Sequence, residues 1–380
     1  MAGILEVEGI AFRDHGLVPV WEKVLEGRRL DPQDGVALLE SDDFVSVGRM
    51  ADHAARRLHG DKVYFVINTH INPTNICVLN CAFCDYKNTP DDEGAWEMTM
   101  EEILGHITGE MTEAHIVGGH HPDWPFEHYE EIIATVRREH PDIQIKAFTA
   151  SEIDYFTKRW KLSLDDVLDR LIAAGLNSMP GGGAEVFSKR VARELRYSGK
   201  ADASRWLEIH AAAHRKGVRS NATMLYGHIE TYAERVEHLR LLREQQDETG
   251  GFLAFIPLEY QIGDTKVVPR HASAIEDLKT IAVSRLMLDN FPHVKAYWIM
   301  IQEETAAIAL NFGANDVDGT IDKERIAHAA KAASPVGVTR ERLVNLVHDA
   351  GKTAVERDAL YNELKVYPRE VVAGGEGVKT

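Results

Sequence analysis

The chain has 380 residues, 44% apolar and 27% charged, the balance of a globular protein large enough to bury a core without staples. Its net charge of -17 excludes a general nucleic-acid footprint, which has to be basic, but not a small anionic substrate held in a locally basic pocket. Its three cysteines are too few and too close together for a disulfide framework, and neither a signal-like start nor a run of about 18 apolar residues is seen, so a cytoplasmic protein outside the membrane is expected.

The first sixty residues read as helical. Asp31-Pro32 looks like an N-cap followed by proline at the first helical position. A second helix is expected from about Asp43 to Leu58, and no strand pattern is visible. From Lys62 short apolar runs alternate with amphipathic segments. The runs are Val63 to His70, Ala114 to Gly119, Ile143 to Ala150, Leu176 to Gly183, Val218 to Leu225, Phe252 to Leu258, Val294 to Met300 and, weakly, Asp316 to Thr320. Between them, Phe126, Tyr129, Ile132, Ile133 and Val136 mark one apolar helix face. Leu164, Val167, Leu168, Leu171 and Ile172 mark another, opened by a capping box from Ser163 to Asp166. Thr231 and Glu234 form a similar box before Val236, Leu239 and Leu242.

Eight strand-helix units predict an α/β fold, a (β/α)8 TIM-type barrel over residues 61–330. Residues 1–60 and 331–380 are expected to be helical extensions, the second carrying a helix from Arg340 to Ala350 and a tail.

All three cysteines, Cys77, Cys81 and Cys84, fall in "NPTNICVLNCAFCDYKN". Thiolates suit zinc, copper(I) or iron-sulfur clusters. Structural zinc takes four ligands, whereas three cysteines can hold a four-iron cluster and leave one iron open. The motif directly follows the first predicted strand, which in a barrel is the face where active-site loops lie. Two alternatives stand beside the cluster: zinc with His70 as fourth ligand, and three thiols buried in a core. His120 and His121 are adjacent, point in different directions, and are poorly placed to share one metal.

Cys-x3-Cys-x2-Cys with Phe83 before the last cysteine resembles the radical S-adenosylmethionine (SAM) superfamily. The resemblance implies a barrel of the radical SAM kind, with Cys77, Cys81 and Cys84 on a [4Fe-4S] cluster whose open iron chelates SAM. Gly118 and Gly119 in "IVGGHHPD" match a glycine pair that contacts SAM, although a simple strand-to-helix turn explains them equally well. Glu152 and Glu185 are further cofactor-binding candidates; for Glu152 the alternative is a solvated carboxylate at a helix start.

The phrases "KAFTASEID", "MPGGGAEVF", "NATMLYGHIET", "LDNFPHVKAYWIM" and "NFGANDVDGT" resemble one branch of the superfamily, from about residue 60 to 365. That branch consumes SAM as a substrate in menaquinone biosynthesis, by the futalosine pathway. Its adenosyl radical adds to the enol ether 3-[(1-carboxyvinyl)oxy]benzoate, the aryl ring migrates, and a carboxylate is lost to give 6-amino-6-deoxyfutalosine. Related branches abstract hydrogen instead, as in cyclic dehypoxanthine futalosine synthase and the deazaflavin synthase subunits. The resemblance also implies an external electron donor such as flavodoxin or ferredoxin. Asn221, Thr223, Lys146 and Tyr297 are then substrate-binding candidates, the last two expected inside strands. Tyr226 and His228 are catalytic candidates, a hydrogen-bonded structural histidine being the alternative for His228. "PLEYQIGDT" (Pro257 to Thr265) departs from the apolar form expected there, and "CDYKN" is atypical after the third cysteine.

Overall fold

The computed structural model describes residues 3–369; the tail expected at 370–380 lies outside them. Strands β1 (Leu5–Val7) and β2 (Ile10–Phe12) form an antiparallel hairpin where only helices were expected. Helices Val18–Leu25, Pro32–Glu40 and Phe44–His59 follow. Asp31 caps the second as anticipated, accepting from the Gln33 and Asp34 amides.

The barrel begins with β3 (Lys62–Val66) and β4 (Asn68–Ile71), two halves of one track broken at Ile67. It continues through β5 (Glu113–Ile116), β6 (Gln144–Ala147), β7 (Ser178–Met179), β8 (Arg219–Tyr226), β9 (Phe252–Glu259), β10 (His293–Val294) and β11 (Asp316–Gly319). From β4 to β10 each strand pairs in parallel with the next. Closure comes from Ala296 N–H on the Asp316 carbonyl (2.8 Å) and Asn315 N–H on the Val294 carbonyl (3.0 Å). β11 then pairs with β3, and His70 N–H reaches the Ile321 carbonyl (2.9 Å). Eight parallel tracks therefore close a (β/α)8 barrel, as the alternation predicted.

The predicted helix faces are buried between barrel and solvent: Phe126, Tyr129, Ile132, Ile133 and Val136 on Phe126–Glu139, and Val167, Leu168 and Leu171 on Leu164–Ala174. The box at Ser163 forms only one arm. Its hydroxyl accepts from Asp166 N–H, but the short Asp166 side chain turns back to that hydroxyl instead of the cap amide. Thr231 and Glu234 make both arms. Among the described residues no helix is long and apolar enough to cross a membrane.

Two further expectations fail. The run Val294 to Met300 splits, because β10 stops at Val294 and a helix, Trp298–Ala309, starts four residues on; a buried helix and a buried strand are equally apolar. The C-terminal extension is not wholly helical. After helix Arg340–Asp349 come β12 (Thr353–Arg357) and β13 (Glu363–Tyr367). β12 pairs in parallel with β3, β13 runs antiparallel to β12, and the chain end thereby seals the barrel's lower rim.

At that seal Arg357 Nε donates to Asp316 Oδ2 (2.7 Å), both side chains almost wholly buried. Arg357 also lies 4.0 Å from the Tyr361 ring centroid. Removing one partner of a buried ion pair strands the other charge. Arg357→Met is therefore expected to destabilise the protein by about 3–5 kcal/mol, read as a lower midpoint in urea denaturation; an unchanged midpoint would show that the pair is dispensable.

Candidate active site

A cavity of about 330 Å³ opens at the C-terminal ends of the barrel strands. The loop after β4 supplies one wall, carrying Cys77, Cys81 and Cys84, all of which line the cavity. Two asparagines hold that loop. Asn75 donates to the Gly94 carbonyl (2.8 Å) and accepts from Trp96 N–H (2.9 Å), while the Asn88 carbonyl accepts from Cys77 N–H (3.0 Å). Burial pushes the Cys81 thiol up to about 11 and moves Cys84 the same way, so bound metal would have to displace their protons.

Gly118 and Gly119 follow β5 and face this loop. Gly119 N–H donates to the Thr74 carbonyl (2.8 Å). A Cβ on Gly119 would stand 2.1 Å from the Ile76 carbonyl oxygen, and one on Gly118 3.0 Å from that of Thr74. The pair is thus more than a turn: it lets the end of β5 lie against the backbone just before Cys77.

Glu152 lies at the start of helix Ala150–Trp160 in a capping box with Thr149. Its carboxylate accepts from Thr149 N–H (2.8 Å) and from Gly118 N–H (3.1 Å). It is 3% exposed, which rules out the solvated alternative. Burial lifts it to about 7 even against those hydrogen bonds. Glu185, in a left-handed conformation (φ 46°), pairs with Lys200. The Lys200 ammonium lies 5.2 Å from the Phe83 ring centroid and lines the cavity beside the cysteines. Lys200 was missed by sequence reasoning, since a lone lysine in "YSGK" carries no local signal.

Asn221 and Thr223 line the cavity from β8, and Lys146 from β6. Thr223 donates to the Gly181 carbonyl (2.8 Å) and Lys146 to Glu113 (2.6 Å). Tyr297 lines the cavity too, as the N-cap of helix Trp298–Ala309 and not from inside a strand.

The structure does not bring Tyr226 and His228 to the cavity. Successive strand residues face opposite sides, so with Asn221, Thr223 and Leu225 inward, Tyr226 points outward. It donates to Asp277 (2.8 Å) on helix Ala274–Met287. The His228 side chain is fully buried, its Nδ1 2.7 Å from Glu230 and its Nε2 3.0 Å from the Leu225 carbonyl. The structural reading of His228 is the one the contacts support. His120 and His121 part ways as expected: His121 binds Glu97 (2.7 Å), and His120 approaches Ser151 (3.3 Å) and stacks on Tyr155.

The departure at "PLEYQIGDT" places a carboxyl at the cavity rim. Glu259 accepts from Gln261 Nε2 (3.2 Å) and lies 3.5 Å from His271 Nδ1. Burial, reinforced by nearby Asp277, raises it to about 8.

A fit for iron can be judged from the donors. Among the described residues no three His, Cys, Asp or Glu side chains gather closely enough to grip a single metal ion. His70 sits inside β4, its Nε2 3.3 Å from His115 Nδ1, so a zinc site completed by His70 does not form. Three thiols set along one wall, with Lys200 as a nearby cation, fit a cluster in which each thiolate takes its own iron. The barrel, the cysteine loop and the glycine pair define a radical SAM enzyme.

Comparison with known proteins agrees. The profile of the radical SAM superfamily matches residues 71–242, and that of the CofH/MqnC C-terminal region matches residues 249–370. Aminodeoxyfutalosine synthase of Thermus thermophilus is 43% identical over 94% of this chain and 98% of its own. Cyclic dehypoxanthine futalosine synthase of Streptomyces coelicolor is 34% identical, over 92% of this chain and 90% of its own. The crystal structure of methylornithine synthase superposes with a TM-score of 0.70 at 19% identity, covering 88% of this chain and 96% of that one; this likeness concerns the fold. The chain belongs to the radical SAM superfamily, whose chemistry implies SAM and a [4Fe-4S] cluster.

Gly119→Ala is expected to displace the backbone ahead of Cys77 and to lower the iron bound per chain after anaerobic reconstitution. Full iron loading would show that the loop can yield. Glu259 gives a pH prediction. The unfolded chain ionises this group near 4.5 while the folded chain keeps its proton to about 8, so the folded state binds more protons and loses stability as pH rises between those values. Glu259→Gln should remove that loss, so the variant's denaturation midpoint should overtake the wild-type midpoint between pH 5 and pH 8. Parallel pH profiles would show that Glu259 ionises normally.

Proposed function

We propose that this enzyme joins the 5′-carbon of SAM to the enol-ether carbon of 3-[(1-carboxyvinyl)oxy]benzoate and forms 6-amino-6-deoxyfutalosine, a step of menaquinone biosynthesis. The observation that carries this reading is the 43% identity, along nearly the whole chain, with a relative named aminodeoxyfutalosine synthase.

In this reading residues 61–330 are the catalytic barrel. Cys77, Cys81 and Cys84 would hold the [4Fe-4S] cluster, and when bound it would supply the electron that cleaves SAM. The remaining work belongs to the chain's own side chains. Gly118 and Gly119 line the cavity where the methionine end of SAM would lie. Glu152 and Glu185 offer acceptors for its ammonium and ribose, and Lys200 offers a cation for its carboxylate. Leu225, Ile256, Leu258 and Met300 line the cavity and keep water from a reactive carbon centre. Asn221, Thr223, Lys146 and Tyr297 face the same space and supply polar contacts for a dicarboxylate. The electron would come from a flavodoxin or ferredoxin.

The test is anaerobic reconstitution, reduction, and incubation with SAM and the enol ether, followed by mass spectrometry. The expected product is 6-amino-6-deoxyfutalosine carrying the adenosyl carbon of labelled SAM. If only 5′-deoxyadenosine and methionine formed, the substrate assignment would fall in favour of a hydrogen-abstracting relative.

A further inference from the structure

In-register pairing sets a row of polar side chains across the inside of the barrel. His70 on β4 stands opposite His115 on β5, His115 opposite Lys146 on β6, and Lys146 opposite Ser178 on β7. Adjacent strands lie about 4.8 Å apart, so the row is continuous. His70, His115 and Lys146 line the active-site cavity. They rise from within the strands, whereas the cysteines hang from the loop above β4. The row is therefore at the deep end of the cavity.

Hydrogen-bonding capacity is left over there. His115 Nδ1 is 3.3 Å from His70 Nε2, while His115 Nε2 is buried without a partner among the described residues, as is Ser178 Oγ. Lys146, 3% exposed, has one side-chain hydrogen bond among the described residues, to Glu113, although an ammonium carries three donors. Burial, with Lys146 next in order for His115, holds both imidazoles neutral. Each therefore has one N–H, and when His70 Nε2–H donates to His115 Nδ1 the His115 proton sits on the unpartnered Nε2. The facing charges are Lys146 with Glu113, Lys295 with Asp318 (3.0 Å), and Glu324 near His70, itself held by His328 (2.8 Å). Asp318 keeps one oxygen without a partner among the described residues, an acceptor that would repel an anion placed directly on it and so confines an anion to the His115–Lys146 side.

We propose that His70, His115 and Lys146 form an anchor for an aryl carboxylate, holding the ring carboxylate of a benzoate-type substrate at the barrel floor with its enol ether turned toward the cysteines. This rests on the function proposed above. The carbon that accepts the adenosyl group has to face SAM, beside the cysteines. The ring carboxylate is the polar group farthest from that carbon, and the apolar walls at Leu225, Ile256 and Leu258 suit the ring between the two ends. A carboxylate there takes one N–H from His115 and one from Lys146, both charge-assisted. A substrate without it leaves those donors buried and unpaired.

The test compares two substrates in the reconstituted enzyme: 3-[(1-carboxyvinyl)oxy]benzoate and 2-phenoxyacrylate, which lacks the ring carboxylate. Wild type should prefer the benzoate by ~100-fold or more in kcat/KM. In His115→Phe, checked for wild-type iron content and melting temperature, that preference should fall by at least ~10-fold. General damage slows both substrates alike and leaves the ratio intact, so an unchanged ratio overturns the anchor. A wild type that turns over neither compound overturns the proposed function instead. The anchor is then decided by calorimetry with 3-hydroxybenzoate: binding at least ~10-fold weaker to His115→Phe supports it, and equal binding, or none to wild type, overturns it.

Discussion

The structure depends on a lattice of buried charges inside the barrel. Lys146 meets Glu113, Lys295 lies between Asp318 and Asp316, and Arg357 reaches Asp316 from the C-terminal strand. Three cations balance three anions, and all six side chains are buried. Such pairs add little net stability over apolar packing of the same volume. They do penalise every arrangement that separates them, and the separating arrangements are those in which β11 fails to meet the end of β10 or β12 fails to come in beside β3. The lattice thus settles how the barrel closes, and its upper surface is the floor of the active-site cavity.

Above that floor the site is organised by close backbone approach. The cysteine loop has no regular secondary structure between β4 and helix Met100–Gly105. It is held by the side chain of Asn75, by the Asn88 carbonyl and by β5 pressing Gly119 against Ile76. Glu152 ties the same glycine turn to the next helix through the Gly118 amide. The short turn after β5 therefore aligns the cysteine loop with the buried Glu152 carboxylate.

The parts of this arrangement that were legible in the sequence are local. Cysteine spacing is a covalent fact of the chain, and the helix faces repeat at a period that only a helix satisfies. Most strands were found because their outer faces pack on helices. Their inner faces were read less well, because polar residues such as His70, His115 and Lys146 interrupt the apolar runs and their partners lie on other strands. Tyr226 illustrates how narrow the margin is: a one-residue difference in position along β8 turns a side chain from the cavity to the helix layer. β10 spans two residues, too few for any period, and the apolar run that follows it belongs to a helix. β13 does alternate, in "ELKVY", but its place beside β12 depends on a barrel rim assembled from distant segments. Lys200 is found only in space, through its pairing with Glu185.

The fork in the first barrel track bears on the order of events as the chain is made. β3 pairs on one edge with β11 and on the other with β12, so neither neighbour exists when β3 leaves the ribosome. The cysteine loop emerges soon afterwards, long before the strand that seals the lower rim. Until residues 353–357 arrive, Asp316 lacks its arginine and the ions of the lattice stay hydrated from below. A domain synthesised N-terminus first would here hold its cysteine loop above an unfinished barrel, open to water at the lower end. The interior beneath the cysteine loop is complete only once these last strands have paired.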